Sequence, residues 1–300
     1  MELRRLGKTD MEVSILGFGG AEIGLESPGA SLETVTRLLN AALDEGLNLI
    51  DTGECYGSSE ELIGRSVSGR RQDYYLFTKC GHPNGLPGED WRQDSLLRSI
   101  QRSLRRLRTD CLDLVQLHSC SEDALLEGTV IEALQRARER GYCRYIGYSG
   151  DSRAAYYAAQ CQAFDCLQIS ISIADQEALD LALPLAHEQH LGVIAKRPLA
   201  NAAWRTGRQP ANSYHHTYWD RLQRLNYPFV KDELETSIST ALRFTLSAPG
   251  VHTAIVGTLT PGRWRQNAAL LEAGPLPSSQ FDAIRKRWSE VAEASWFGQT

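Results

Sequence analysis

The stretch "LNLIDTGECYGSSEELIG", residues 47–64, decides how the rest of the chain is read. An apolar run, Leu47 to Ile50, stops on a carboxylate, Asp51. Tyr56 follows in the next loop, with Gly57 directly after it. "SSEELIGRSV" (58–67) then opens as a helix does, with a serine cap and acidic residues in its first turn. One reading is a plain loop, in which a strand ended and polar residues took over. The other sets Asp51 and Tyr56 at the mouth of a buried strand for chemistry. The rest of the chain decides between them.

The strand–loop–helix unit recurs on both sides of that stretch. Strand-like runs are "SILGFGG" (14–20), "LNLID" (47–51), "YYLFTK" (74–79), "CLDLVQLHS" (111–119), "YCRYIGYSG" (142–150), "FDCLQISIS" (164–172), "LGVIAK" (191–196) and "HTAIVG" (252–257). Between them lie amphipathic stretches at 30–46, 94–107, 125–141, 152–162, 175–190 and 232–247, with two more helical stretches in the tail. In the first of these, Leu38, Leu39, Ala42 and Leu43 recur at helical spacing and Gly46 stops the helix. Segment 197–230 reads as long, irregular and aromatic. Strands alternating with helices imply parallel pairing with right-handed crossovers. Eight such units in 300 residues predict a (β/α)8 TIM barrel, one domain over 1–300, with an N-terminal strand segment and C-terminal helices. The competing doubly wound sheet carries GxGxxG after its first strand. Here Gly17 and Gly19 are in step but position 22 is Glu, so that fingerprint fails.

Composition excludes several classes. A mild net charge of −5 argues against a nucleic-acid surface and favours nothing in particular. No stretch approaches the roughly 18 uninterrupted apolar residues of a membrane span, and "MELRRLGKTDMEV" has no signal-peptide core. Seven scattered cysteines without a CxxC pair suit a reduced, cytoplasmic setting. His187, His190, His215 and His216 lack a carboxylate or thiolate at ligand spacing, so no metal site is expected.

In such a barrel, function sits where strands end and βα loops begin. The second strand ends in Asp51 with Tyr56 after it, the third in Lys79 and the fourth in His118. One ionisable strand end is commonplace; three on neighbouring strands, beside a tyrosine, form a coherent unit. A carbonyl that accepts hydride becomes an alkoxide and needs a proton. Tyrosine is a poor donor near its reference pKa of about 10, and a close ammonium lowers that value. A shift of about three units corresponds to roughly 4 kcal/mol, within reach of a charge a few ångströms away. Asp would hold the lysine charged, and His would donate a hydrogen bond to the carbonyl oxygen or relay a proton.

These residues, together with "LGFGG", "DTGECYG", "LFTKCG", "SLRRLRTDCLDLVQLHS", "RYIGYSG", "LQIS", "VIAKRPLA" and "AIVGTLTPGRWRQN", resemble the aldo-keto reductase superfamily over nearly the whole chain. The family's tetrad falls on Asp51, Tyr56, Lys79 and His118. The resemblance implies NADP(H), bound without a Rossmann domain, and a small-molecule carbonyl substrate met by Tyr56 and His118. It carries cofactor contacts onto Gly20, Asp51, Ser149, Gly150, Gln168, Lys196, Arg197, Pro198, Leu199, Gly257, Thr258, Thr260, Arg263 and Asn267. Among these, Ser149 and Gln168 match the nicotinamide carboxamide site, Thr258 and Thr260 match hydroxyl donors, Arg263 the 2′-phosphate arginine and Asn267 the adenine contact.

Two positions depart from the family. Gly150 stands where an Asn partners the serine, and Lys196 or Arg197 stands where many members carry a Tyr on the nicotinamide face. A cation there either opposes the oxidised ring or reaches a cofactor phosphate. Trp204, Tyr214, Tyr218 and Trp219 are candidate substrate-pocket walls, and "SWFGQT" at the C-terminus either reaches the pocket or frays. Cys55, beside Tyr56, shows no sign of activation. The resemblance also admits a second class, a nucleotide-sensing subunit that uses the fold as a binding module. The intact tetrad favours the enzyme.

Overall fold

The computed structural model describes residues 1–27, 29–82 and 91–299. Strands β1 (Leu3–Arg5) and β2 (Glu12–Ser14) form an antiparallel hairpin. The barrel units follow: β3 (Leu16–Gly19) and α1 (Leu32–Asp44); β4 (Leu49–Asp51) and α2 (Ser59–Val67); β5 (Tyr75–Cys80) and α3 (Gln93–Leu107). Next come β6 (Leu112–His118) with α4 (Glu122–Glu127) and α5 (Thr129–Glu139), and β7 (Cys143–Ser149) with α6 (Ser152–Gln160). Then β8 (Cys166–Ser170) leads to α7 (Glu177–Asp180) and α8 (Leu183–Glu188), and β9 (Gly192–Lys196) to α9 (His216–Leu225) and α10 (Leu234–Ser247). Last are β10 (Thr253–Val256), α11 (Arg263–Leu270) and α12 (Ser278–Val291). Strands β3 to β10 pair in parallel, and β10 closes onto β3. The expected (β/α)8 barrel is therefore the observed one. No helix among the described residues is long and apolar enough to cross a membrane.

Local chemistry explains the helices and where three expectations were too coarse. Ser31 caps α1 by accepting from Thr34 N, and Val35, Leu38, Leu39, Ala42 and Leu43 form its buried face. The stretch 125–141 reads as one helix but contains a break: Gly128 takes the left-handed conformation at φ 80° and ends α4 before α5 begins. The stretch 175–190 likewise divides, because Pro184 suits the first turn of a new helix, α8. Segment 197–230, expected to be irregular, holds α9, whose buried face is Tyr218, Arg221, Leu222 and Leu225.

The barrel interior is built in layers, because residues two apart share a strand face. Leu49, Phe77, Leu114, Cys166 and Ile194 form an apolar floor, sealed by Leu6, Met11 and Val13 of the hairpin segment. Two residues further along the same strands stand Asp51, Lys79, Gln116, Gln168 and Lys196. One step of strand periodicity thus turns an apolar plug into a polar mouth, at the C-terminal ends of the strands.

Outside the strands, α2 lies close against the end of α3. A Cβ added at Gly64 would lie 2.2 Å from the backbone oxygen of Arg106. Gly64→Ala should therefore cost about 1–3 kcal/mol in urea unfolding, the range of an overpacked contact. Gly69→Ala, where an added Cβ meets nothing within 4 Å, is the matched control and should change stability little. Equal stability of the two variants would disprove the close-approach argument.

Candidate active site

Four strand ends converge on one buried charge pair. Lys79 Nζ donates to Asp51 Oδ2, and to the Thr52 backbone oxygen at 2.8 Å. Both side chains are 1% exposed, so neither charge has water to fall back on. The other Asp51 oxygen accepts from Gln168 Nε2 at 2.9 Å and Gln116 Nε2 at 3.2 Å. Ser149 Oγ in turn donates to Gln168 Oε1 at 3.0 Å. Asp51, Lys79, Gln168 and Ser149 are thereby linked in one chain of hydrogen bonds.

Tyr56 sits in the loop after β4, in a turn closed by its N–H to the Gly53 oxygen at 3.0 Å. Glu54 anchors that turn: its N–H reaches the Lys79 oxygen at 3.2 Å, and its buried carboxylate accepts from Ser99 and Arg102 of α3. Lys79 Nζ lies 4.9 Å from the Tyr56 ring centroid. His118 meets the same ring edge-on, with centroids 5.7 Å apart. The structure thus brings Asp51, Tyr56, Lys79 and His118 together.

The proton affinities follow from burial and charge. Burial lowers the proton affinity of the Lys79 amine, but Asp51 and Tyr56 outweigh it and leave the pKa raised, so Lys79 is an ammonium. Burial, assisted by Lys79 and His82, holds the His118 pKa well below its usual value, so the imidazole is neutral at pH 7. For Tyr56 the expected lowering is corrected: burial raises its pKa, and Lys79 opposes this without overcoming it.

The two departures from the family have structural causes. At Gly150 a Cβ would lie 2.3 Å from Tyr148 Oη. The buried Tyr148 donates to the Cys120 oxygen at 2.8 Å and occupies the space an Asn side chain would need. Lys196 Nζ lies 2.9 Å from Asp151 Oδ2. Arg197 donates to Ser170 Oγ at 2.5 Å and Tyr214 Oη at 3.0 Å. The cations that replace the stacking Tyr are therefore tied to a buried carboxylate one residue after Gly150. Sequence reasoning missed Asp151 because only the closed barrel sets β7 and β9 on either side of β8.

At the far side of the mouth, Gly20 and Gly257 leave no room for side chains: a Cβ would lie 2.7 Å from Ser59 Oγ at Gly20 and 2.8 Å from the Gly19 oxygen at Gly257. Thr258 Oγ1 accepts from Thr260 N at 3.0 Å. Arg263 is exposed at the first position of α11, and Asn267 is buried on the same helix. Pro198 and Leu199 lead into a turn in which Ala200, Asn201 and Ala202 all have positive φ. Asn201 Nδ2 is buried there with no hydrogen-bond partner among the described residues, a second feature the sequence did not announce.

The aromatic residues of the long segment after β9 are held in different ways. Trp204 is 5% exposed and donates its indole N–H to Ser237 Oγ at 2.9 Å. It belongs to a satellite core with Leu222, Trp288 and Trp296. Tyr218 is fully buried and donates to Asp175 Oδ2 at 2.9 Å. Tyr214 is the exposed aromatic beside Arg197. The C-terminal segment packs rather than frays: a Cβ at Gly298 would lie 2.1 Å from Asp151 Cγ, and the Phe297 oxygen accepts from Arg221 at 2.8 Å. Thr300 lies outside the described residues.

Asp175 gives a test of this second charged layer. Burial, then the nearby Asp151 charge, push its pKa from 3.8 up to about 7, against the pull of Arg221 and Tyr218. A carboxyl raised on folding stabilises the protein fully below its unfolded pKa, and that stability is lost as pH rises through the folded value. The melting temperature should accordingly fall as pH rises from about 4 through about 7. Asp175→Asn keeps an acceptor for Tyr218 and should flatten this slope and melt above the wild type at pH 8. A variant that melts lower at pH 8 would mean that the ionised carboxylate is needed.

Comparison with known proteins bears on the same geometry. The sequence matches the Aldo/keto reductase family over residues 15–289. It is 26% identical to the oxidoreductase YqkF of Bacillus subtilis, over 95% of this chain and 96% of that protein. It is 30% identical to L-galactose dehydrogenase of Arabidopsis thaliana, over 67% of this chain and 66% of that enzyme. The holo form of an aldo-keto reductase from Bacillus halodurans superposes with a TM-score of 0.83 at 27% identity, covering 98% of this chain and 99% of that one.

Proposed function

Since the chain belongs to the aldo/keto reductase family, whose members are oxidoreductases that use a nicotinamide cofactor, we propose that it reduces aldehydes or ketones to alcohols with NADPH and that Tyr56 is the proton donor. The observation that carries this reading is Tyr56 held between the Lys79 ammonium and the His118 ring above the buried Asp51. Bound NADPH would supply the hydride to the carbonyl carbon. Tyr56 gives its hydroxyl proton to the oxygen, and Lys79 steadies the phenolate that remains. His118, neutral, donates a hydrogen bond to the same oxygen.

The residues present fit such a cofactor. Asn201 Nδ2 is a buried donor without a partner among the described residues, and Gly20 and Gly257 keep the backbone packed closely at the strand ends. The linked pair Ser149 and Gln168 would hold the carboxamide, with no Asn at Gly150. The turn from Pro198 and Leu199 through Asn201 would meet the phosphates. Thr258, Thr260, Arg263 and Asn267 would hold the adenosine end, Arg263 lying free of any ion pair among the described residues. Lys196 and Arg197, bound to Asp151, Ser170 and Tyr214, would border the nicotinamide pocket as a fixed cluster.

Tyr56→Phe should keep NADPH affinity and lower kcat for an aromatic aldehyde by about 10²–10⁴, the usual contribution of a positioned general acid. A kcat that barely falls would remove Tyr56 from the role. Absence of turnover by the wild type, with NADPH still bound, would favour the sensing-subunit reading.

Cofactor choice has its own test. The 2′-phosphate adds about two negative charges, and charge-assisted bonds to Arg263 contribute roughly 1.5–3 kcal/mol, about ten- to more than a hundredfold in affinity. Wild type should prefer NADPH to NADH by that order, and Arg263→Ala should weaken NADPH alone in fluorescence titrations. An equal loss for both cofactors would leave Arg263 an ordinary solvated helix charge.

A further inference from the structure

We propose that Cys55 is a positioning residue for His118: its thiol donates to Nδ1 and fixes the imidazole in the tautomer whose proton is on Nε2. The inference rests on the carbonyl-reductase reading above, in which His118 donates a hydrogen bond to the substrate oxygen.

A neutral imidazole has one N–H and one bare nitrogen, and the partner of one nitrogen sets the state of the other. Cys55 Sγ lies 3.3 Å from His118 Nδ1. The other neighbours leave that nitrogen to Cys55. His82 packs edge-on against the His118 ring, with centroids 5.2 Å apart, but its Nε2 lies 2.6 Å from the His118 backbone oxygen. A carbonyl only accepts, so that His82 proton is engaged with the main chain. Tyr56 meets the ring by its edge. Among the described residues Cys55 is the side chain that hydrogen-bonds the His118 ring.

The proposed direction, thiol to Nδ1, is one that the protonation states of both groups allow. Burial raises the Cys55 pKa, so the sulfur keeps its proton and can donate. His118 is neutral, so a bare nitrogen is present to accept. With Nδ1 accepting, Nε2 must carry the N–H, which is the donor a carbonyl oxygen requires. The thiol is also held in place. It lies between Glu54, anchored to α3 and to the Lys79 carbonyl, and Tyr56, whose N–H closes the Gly53 turn. A valine or alanine there would have no proton to give and would leave Nδ1 free to take one.

The full chain, labelled with ¹⁵N-histidine, tests this directly, with His118→Gln used to assign the signals. In the wild type, Nε2 of His118 should resonate as a pyrrole-type nitrogen and Nδ1 as a pyridine-type one. Cys55→Ala should move Nδ1 toward the pyrrole position as the second tautomer enters, and Cys55→Ser, which retains a donor, should restore the wild-type pattern. In steady-state reduction of an aromatic aldehyde, kcat should fall about three- to tenfold in Cys55→Ala, the scale of one weak hydrogen bond. It should recover in Cys55→Ser, with NADPH affinity unchanged in both. A wild-type His118 protonated on Nδ1, or identical spectra in wild type and Cys55→Ala, would overturn the assignment. A tautomer shift with no change in kcat would overturn the positioning role. The spectra need no turnover, so a wild type that reduces no carbonyl would defeat the functional reading without deciding the thiol–imidazole bond.

Discussion

The Asp51–Lys79 pair is the constraint around which the mouth of the barrel is organised. Each ion taken from water costs several kcal/mol even after relaxation, and mutual attraction offsets this only when the remaining donors and acceptors are also satisfied. Here Gln116 and Gln168 cover one Asp51 oxygen and the Thr52 carbonyl takes a second lysine proton. Those partners come from β4, β5, β6 and β8, so half of the strands have their upper ends set by one ion pair. The floor beneath has the opposite requirement. Leu49, Phe77, Leu114, Cys166 and Ile194 keep water out from below, sealed by the hairpin. The pair is stable because it is surrounded by oriented amides, and the amides are oriented because the pair is there.

A second buried charge centre accompanies the first. Asp151 accepts from Ser170 N at 2.7 Å, faces Lys196 at 2.9 Å, and has Arg197 at 3.8 Å. Its carboxyl is held below the usual range: burial works against this, but Lys196, Arg197 and the Ser170 N–H prevail. Lys196, in turn, is pushed down to about 8, because burial and the nearby Arg197 outweigh the attraction of Asp151. One carboxylate between two cations leaves a net positive corner beside the tetrad, and its effect is visible in His118, whose proton affinity Lys196 and Arg197 depress further. The C-terminal segment closes this corner from above. Only glycine fits at 298, where the backbone rests against the Asp151 carboxylate.

Which of these features the sequence disclosed depended on whether the signal was local. Asp51, Lys79 and His118 were legible because strand periodicity fixes both the end of a strand and the face of its last residue. The barrel was legible because eight strand–helix units have few ways to pack. Helix breaks at Gly128 and Pro184 carried local signals that the apolar pattern on either side obscured. Asp151 was not legible: its partner Lys196 is remote in sequence and adjacent only across β8. For Trp204 the local signal was ambiguous, because aromatic content marks a core as readily as a pocket; in the fold its indole N–H is bonded to Ser237 Oγ. Gly150 read as a departure from the family's Asn, and its cause is steric: the Tyr148 hydroxyl, two residues earlier in the chain, lies where a Cβ would go.

Tyr56 couples the buried ion pair to acid–base chemistry. A lysine beside a phenol suggests a lowered pKa, yet burial prevails and the phenol is held above its ordinary value. For the proposed role this is the useful direction before reaction. An acid that must deliver a proton to a nascent alkoxide has to keep it until the alkoxide forms, and a buried phenol does so at any physiological pH. Lys79 matters afterwards, when the phenolate appears and an ammonium 4.9 Å from the ring centroid stabilises it. The ammonium can do this only if it keeps its own charge in the same buried setting, and Asp51 ensures that it does. Burial alone would favour a neutral phenol and a neutral amine, a site with no means of stabilising the anion left by proton transfer. The carboxylate at the end of β4 converts that pair into an acid with a fixed counter-charge. Asp51 and Tyr56 are therefore physically coupled through Lys79.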